Sequence, residues 1–279
     1  MGLLVRFASQ WVAGETMADA ITRAEDANRR GIGAILNFLG EHYVDRSLVD
    51  ATVDEYLDIL DDLGARRMDA SLSIKPTQCG MMVDQEFYWA GVKRILDRIQ
   101  SMGLFLWMDI ESSKFTDRTF DVYRRALAQY RDVGVAVQAN LRRTERDVES
   151  LLDVGGVVRL CKGAYHEVPP VGTADRHETD ANFRKLLDIC FERADRFAVA
   201  SHDSALIAHA LGLAKGRTRP FEFQMLLGVR DPLKDELVKK GHRVLEYIPY
   251  GPSWLPYFTR RLRERPRNIL TMVRSFVSG

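Results

Sequence analysis

The feature that most constrains this chain is an alternation repeated eight times: a short apolar, β-branched run, then an amphipathic helical stretch, then a glycine or polar break. The short runs fall at residues 34–39, 69–74, 104–109, 135–139, 157–161, 197–201, 221–225 and 243–248. Between them, Val53, Tyr56, Leu57 and Leu60 recur on one helical face, as do Phe183, Leu186, Leu187 and Cys190. Both stripes read as surfaces that pack on a sheet rather than as cofactor boxes. Strand–helix alternation leaves two architectures, a parallel barrel or an open doubly wound sheet. A nucleotide-binding open sheet would carry a glycine-rich turn after a strand, and neither GxGxxG nor GxxxxGKS/T occurs; Gly31 and Gly33 are too little. Eight units favour closure, and 279 residues suit one (βα)8 domain of roughly 250 residues. We therefore expect a single domain over 1–279. Its first thirty or so residues form a helical lead-in, marked by the spacing of Ala20, Ala24 and Ala27.

Several function classes drop out. Forty Lys and Arg against thirty-nine Asp and Glu, interspersed, give a net charge of +1 and no basic face for nucleic acid. Cys79, Cys161 and Cys190 are odd in number and lack CxxC spacing, which suits a reducing cytoplasm and a structural role for each. No HxH or HExxH pattern suggests a metal. The N-terminal twenty residues do not read as a secretory leader, and no run of about eighteen apolar residues would span a membrane. A tail stripe of Ile269, Leu270, Met272, Val273, Phe276 and Val277 fits capping of the barrel better than peripheral contact with the inner face of a membrane.

In a barrel, function gathers where the strands end and the βα loops converge. Those ends are polar here: Glu41, Lys75, Asp109 with Glu111, Gln138 with Asn140, Arg159 with Lys162, the run Ser201, His202, Asp203, then Gln224, Tyr247 and Tyr250. Charged groups at inward strand ends must meet partners or ligands, because an unpaired buried charge is too costly. His202 reads equally as a structural histidine and as a donor to a phosphate or an adenine-linked group. After the eighth run a helix presents Tyr257, Arg260, Arg261 and Glu264, a YxxRRxxE spacing that puts Tyr257, Arg261 and Glu264 on one face with Arg260 beside them. Paired guanidinium groups suit bidentate capture of a carboxylate, whereas an ordinary barrel-covering helix would want apolar residues there.

At this point the sequence resembles the proline dehydrogenase family, flavoenzymes that occur alone or as a module of bifunctional proline-utilisation proteins. The resemblance runs through ordered blocks over nearly the whole chain: WVAGE at 11–15, LGE at 39–41, SIKPTQCG at 73–80, MDIES at 108–112, VQAN at 137–140, RLCKGAY at 159–165, ASHD at 200–203, FEFQMLLG at 221–228, then YIPYG and YxxRRxxE. It implies a distorted (βα)8 TIM barrel with its last helix over the mouth and FAD held noncovalently across the strand ends. It further implies oxidation of L-proline to Δ1-pyrroline-5-carboxylate by hydride transfer from C5 to flavin N5. Electrons would then pass to a quinone, and a pyrroline-5-carboxylate dehydrogenase would be the functional partner.

By the same resemblance, Asp109 and Arg159 are central to catalysis. Arg260 and Arg261 clamp the proline carboxylate, Lys75, Leu226, Tyr247 and Tyr257 shape the pocket, and Glu41 gates it by pairing with Arg260. Gln138, Arg159, Lys162, Gly163 and Ala164 surround the flavin ring; Ser201 and His202 lie by the phosphates or adenosine, and Glu264 belongs with the cofactor set. A tyrosine at Tyr247 favours proline over hydroxyproline. Cys161, His166 and the short lead-in depart from the family pattern. The acceptor of the amine proton, either the neighbourhood of Lys75 and Asp109 or water, stays open. Two rival readings remain: a Schiff-base aldolase barrel built on Lys75 or Lys162, and a non-catalytic barrel whose charged ring is only an ion-pair network.

Overall fold

The structure is a computed structural model that describes the backbone of residues 10–264 and the side chains of residues 10–259. Its centre is a closed barrel of eight parallel strands, each paired with the next and the last with the first. The strands are β1 (Gly33–Phe38), β2 (Ala70–Ile74), β3 (Leu106–Met108), β4 (Val133–Gln138), β5 (Val157–Cys161), β6 (Phe197–Ala200), β7 (Phe221–Leu226) and β8 (Arg243–Tyr250). Each of the eight apolar runs overlaps one, with ends that differ by up to two residues. The third is shorter than expected because the preceding helix ends at left-handed Gly103 and Leu104 N–H still serves it, donating to the Ile99 carbonyl. The helix layer holds α2 (Arg46–Arg66), α3 (Gln85–Met102), α4 (Thr116–Gln129), α5 (Thr144–Asp153), α6 (Arg176–Arg193), α7 (Ser204–Leu213) and α8 (Asp231–Lys239), which follow β1 to β7 in order. Aspartates N-cap four of them: Asp45, Asp84, Asp175 and Asp203 accept from the first free N–H groups of α2, α3, α6 and α7. Among the described residues no helix is long and apolar enough to cross a membrane.

The eighth position of the layer is filled from the wrong end of the chain. Helix α1 (Met17–Arg29), held at its start by a Thr16–Asp19 capping box, packs on β1 and β8 through Ala20, Ala24 and Ala27. The helix after β8, α9 (Trp254–Glu264), is thereby displaced to the barrel mouth. There Tyr257 and Phe258 pack with Leu39, just past β1, with Leu226 at the end of β7, and with Trp11, Val12 and Val229. Residues 10–15, the WVAGE block, tie this arrangement down. Ala13 N–H donates to Pro249 O at 2.8 Å, Gly251 N–H to Gly14 O at 3.0 Å, and Trp254 Nε1 to Glu15 Oε1 at 3.0 Å. Gly228, at φ +66°, lets the Gln10 carbonyl approach where any Cβ would overlap it.

Register decides which side chains enter the barrel. Parallel partners face the same way, so the pairings Ser73 with Trp107, Arg159 with Ala198, Ala198 with Glu222 and Tyr247 with Ile35 define the inner surface. Small residues stand beside the largest ones. A Cβ at Gly134 would run into the Trp107 ring, and Ala136 and Ala198 flank Arg159. The main apolar core lies outside, between strands and helices, leaving the upper interior free for polar groups.

Candidate active site

Period-two alternation along β2 sends Ser71, Ser73 and then Lys75 inward, and the same rule sends Asp109, Arg159, Gln224 and Tyr247 into the mouth from β3, β5, β7 and β8. They converge on one carboxylate. Asp109 Oδ1 accepts from Arg159 Nη1 at 2.7 Å and from Ser73 Oγ at 2.8 Å, while Oδ2 accepts from Lys75 Nζ at 3.0 Å and from Tyr247 Oη at 2.7 Å. Arg159 lies over the Trp107 ring, 4.5 Å from its centroid, with Tyr247 at 5.7 Å. The side chains of Arg159, Asp109 and Lys75 are only 5, 10 and 11% exposed.

Charge states follow from this geometry. Burial alone would push the Asp109 carboxyl up, but Lys75 and Arg159 overturn it and hold it at about 2. Burial also opposes the Lys75 charge; the Asp109 carboxylate beside it outweighs burial and keeps the ammonium above the usual lysine range. Burial and then Asp109 raise Tyr247, so its phenol stays neutral. Among the groups that meet at Asp109, two cations therefore face one anion, while Glu41 and Glu111 act on Lys75 from just beyond that set.

Arg159 is also incompletely satisfied. Its Nε donates to Gln224 Oε1 at 2.5 Å and its Nη1 to Asp109 and, at 3.1 Å, to Ser73 Oγ. Its buried Nη2 has no hydrogen-bond partner among the described residues. Such a guanidinium nitrogen is costly unless an acceptor arrives with a ligand.

The other expected residues divide into groups. Gln138 is buried beside the constellation and donates through Nε2 to Glu111 O at 2.9 Å. Gly163, at φ +111°, sits so close to the Asn140 amide that no side chain would fit, and Ala164 is exposed at the rim. Lys162 is already matched by Asp180 and Asp203. Ser201 Oγ accepts from the Asp203 N–H, and His202 Nε2 accepts from Leu226 N–H at 2.8 Å, so the ASHD block fastens β6 to α7 and to β7. Tyr165 Oη donates to Glu41 Oε1 at 3.4 Å. Leu226 is half-buried and Tyr257 buried at the mouth. The side chains of Arg260, Arg261 and Glu264, and the tail stripe from Ile269 to Val277, lie outside the described residues.

Four contributors were not named as site residues, although Ser73, Thr77 and Glu222 lie within the family blocks. Ser73 bonds to both Asp109 and Arg159 and Trp107 lies under Arg159, and alternation counted back from Lys75 and Asp109 would have found both. Glu222, one inward step before Gln224, accepts from Gln224 Nε2 at 2.6 Å. Thr77 gives its N–H and hydroxyl to Glu111 at 2.8 and 2.6 Å, pinning the loop that follows Lys75.

A closed (βα)8 barrel with a buried cluster of charged groups at the C-terminal ends of its strands is the arrangement of a barrel enzyme. The proline dehydrogenase family model matches residues 20–272, and the chain belongs to that family. Proline dehydrogenase 1 of Bacillus subtilis (strain 168) is 31% identical over 264 residues, covering 94% of this chain and 87% of that protein. Proline dehydrogenase of Deinococcus radiodurans is 31% identical over 285 residues, covering 98% and 90%. The fold matches the crystal structure of proline utilization A from Bdellovibrio bacteriovorus inactivated by N-propargylglycine, with a TM-score of 0.86 at 22% identity, over 92% of this chain and 32% of that one.

Proposed function

We propose that the chain, acting as one domain, oxidises L-proline to Δ1-pyrroline-5-carboxylate at the barrel mouth, with FAD as cofactor and a quinone as final electron acceptor. The observation that carries this reading is the unpartnered Nη2 of buried Arg159 within the charged cluster at Asp109, in a member of the proline dehydrogenase family. The residues present fit a flavin. Arg159, Gln138 and the close approach allowed at Gly163 would hold its ring, with Lys162, Ala164, Ser201, His202 and Glu264 toward the rest of it. When bound, FAD supplies the two-electron acceptor for the hydride leaving proline C5.

The chain's own residues do the remaining work. Arg159 provides a fixed cation where negative charge arrives with the hydride. Asp109 holds Arg159, Lys75 and Tyr247 in place at once. Arg260 and Arg261 clamp the carboxylate from α9, Glu41 gates the mouth by pairing with Arg260, and Leu226 and Tyr257 wall the pocket. Tyr247, its hydroxyl committed to Asp109, leaves no partner for a hydroxyl on the substrate ring and so favours proline. As the C5–H hydride leaves, the amine lone pair forms the C5=N bond. Neither protonated Lys75 nor strongly acidic Asp109 suits acceptance of the amine proton near neutral pH, so that proton passes to water. The same protonation disfavours a Schiff-base lysine at position 75, and Lys162 is held between two carboxylates.

A pyrroline-5-carboxylate dehydrogenase is the expected consumer of the product; the bifunctional protein PutA of Escherichia coli (strain K12), 24% identical over 309 residues that make up 93% of this chain and 23% of that protein, is in keeping with a second activity joined to this one. The test is to record the visible spectrum of the purified protein and add L-proline without oxygen. A flavin band that bleaches supports the reading, and one that stays unchanged overturns it. In Arg260→Ala and Arg261→Ala, proline binding weakens while FAD is retained.

A further inference from the structure

We infer that Glu222 and Gln224, stacked below Arg159 on β7, are positioning residues that fix which nitrogens of that guanidinium remain available to a ligand. This rests on the proposed function and deepens it by extending the site from the mouth into the barrel interior.

The Gln224 amide has two possible orientations, and its neighbours select one. Its Oε1 accepts from Arg159 Nε at 2.5 Å, and its Nε2 donates to Glu222 Oε1 at 2.6 Å. Turning the amide over would set an NH2 group against the Arg159 N–H and an oxygen against a carboxylate, two repulsive contacts in place of two good ones. Glu222 therefore dictates the orientation of Gln224. Its own carboxylate is buried, and its other oxygen lies 3.4 Å from Arg196 Nη2, a residue that also reaches Asp132 at the floor of the barrel. The Gln224 side chain is likewise buried, with little freedom to adopt another arrangement.

The consequence falls on Arg159, which has five N–H groups in a rigid plane. Gln224 engages the one on Nε, and Asp109 with Ser73 engages the two on Nη1. Those three contacts, on two edges of the plane, fix its rotation over the Trp107 ring. The remaining pair, on Nη2, is the only one left to an incoming acceptor among the described residues. Without the Nε contact, Arg159 could pivot about its Asp109 pair and present Nε or Nη2 in varying proportions. A cation misplaced by a fraction of an ångström loses much of its effect on the reaction.

The test is a charge swap in the FAD-loaded enzyme. Gln224→Glu alone puts two carboxylates face to face and disrupts the relay. The double variant Glu222→Gln with Gln224→Glu rebuilds it in reverse: the carboxylate introduced at position 224 would accept from Arg159 Nε and the amide introduced at 222 would donate to it, with the total charge unchanged. Two readouts are used, the anaerobic bleaching rate at saturating L-proline and the flavin midpoint potential measured with a chemical reductant and no proline. The single variant is expected to bleach about tenfold more slowly, with KM for proline within about twofold, and to show a more negative potential. The swap returns both readouts close to the wild type. Space-filling alone would not predict rescue by reversal. Equal behaviour of the single variant and the wild type, or a swap no better than the single variant, overturns the inference. Wild-type enzyme that fails to bleach with proline sinks the proposed reaction instead, while the potential still tests the relay.

Discussion

Two lysine–carboxylate pairs are buried in the described part of this molecule, and they do opposite jobs. Lys234, fully buried on α8, meets Glu246 of β8 and, at 2.7 Å, Asp231 on its own helix. It lies in the layer between strands and helices, and carboxylates on two sides satisfy it. Burial raises the Glu246 carboxyl and Lys234 offsets only part of that rise, which is the behaviour of a staple between two elements. Lys75 and Asp109 sit inside the barrel at the strand ends, where Arg159 joins them, so cations outnumber the anion and one guanidinium nitrogen is left over. Burial and pairing are common to both. What separates them is position in the barrel and unmatched hydrogen-bonding capacity, and only the second pair has capacity left for a ligand.

The largest effect should come from the mouth. Asp109→Ala removes the acceptor shared by Arg159, Lys75, Ser73 and Tyr247, and steady-state assay with L-proline should show kcat lower by about 10²–10³-fold. Lys234→Ala should instead cost about 3–5 kcal/mol, because it leaves Glu246 buried and uncompensated. Denaturant unfolding would show that loss, while kcat per folded molecule stays within about twofold. The double variant Lys234→Met with Glu246→Leu should regain most of the stability that Lys234→Ala loses, as apolar replacement of a buried pair commonly does.

The sequence made these two pairs unequally legible. Strand-end position singled out Lys75, Asp109 and Arg159, because the βα loops of a barrel converge there whatever the sequence between. Lys234 gave no such signal: a lysine in the charged α8 pattern looks like any solvated helix residue, and only the fold brings Glu246 against it. The strands were readable because apolar runs repeat eight times. The depth of the polar network was not: Gln224 stood out at a strand end, but Ser73 and Glu222 are ordinary strand residues until register shows that they meet Arg159 and Gln224. For α9, attention to Tyr257, Arg260, Arg261 and Glu264 passed over its apolar side. Trp254 and Phe258, four residues apart, pack edge to face at 5.8 Å, and Phe258 reaches Trp11 at 5.7 Å. The WVAGE block matched the family by pattern, but its mechanical role needed the contacts between chain start and last helix.

That role gives a smaller expected effect. Trp254→Phe keeps the packing and removes only the hydrogen bond to Glu15, worth about 1 kcal/mol. If α9 carries the carboxylate clamp, KM for proline should rise by up to about fivefold with kcat nearly unchanged; an unchanged KM would detach the clamp from that helix. The smallest effect concerns pH. Asp109 lies at about 2, and Lys75 and Tyr247 are raised above their ordinary values, so none of the three should titrate between about pH 5 and 9. A folded-state carboxyl this depressed adds stability that is present above its unfolded pKa and is lost only as pH falls toward 2. The profile of kcat/KM across that window should accordingly follow the substrate amine, rising with pH, and an added inflection in Asp109→Asn would show that the wild-type pairing had been suppressing a titration.

The comparison of the two buried pairs is tested most directly by anaerobic bleaching of the flavin with L-proline in Asp109→Asn and Lys234→Met side by side. The expected result is that both proteins retain the flavin spectrum, that Lys234→Met bleaches at the wild-type rate, and that Asp109→Asn bleaches at least a hundredfold more slowly. Equal rates in the two variants would contradict the assignment of the reaction to the barrel mouth.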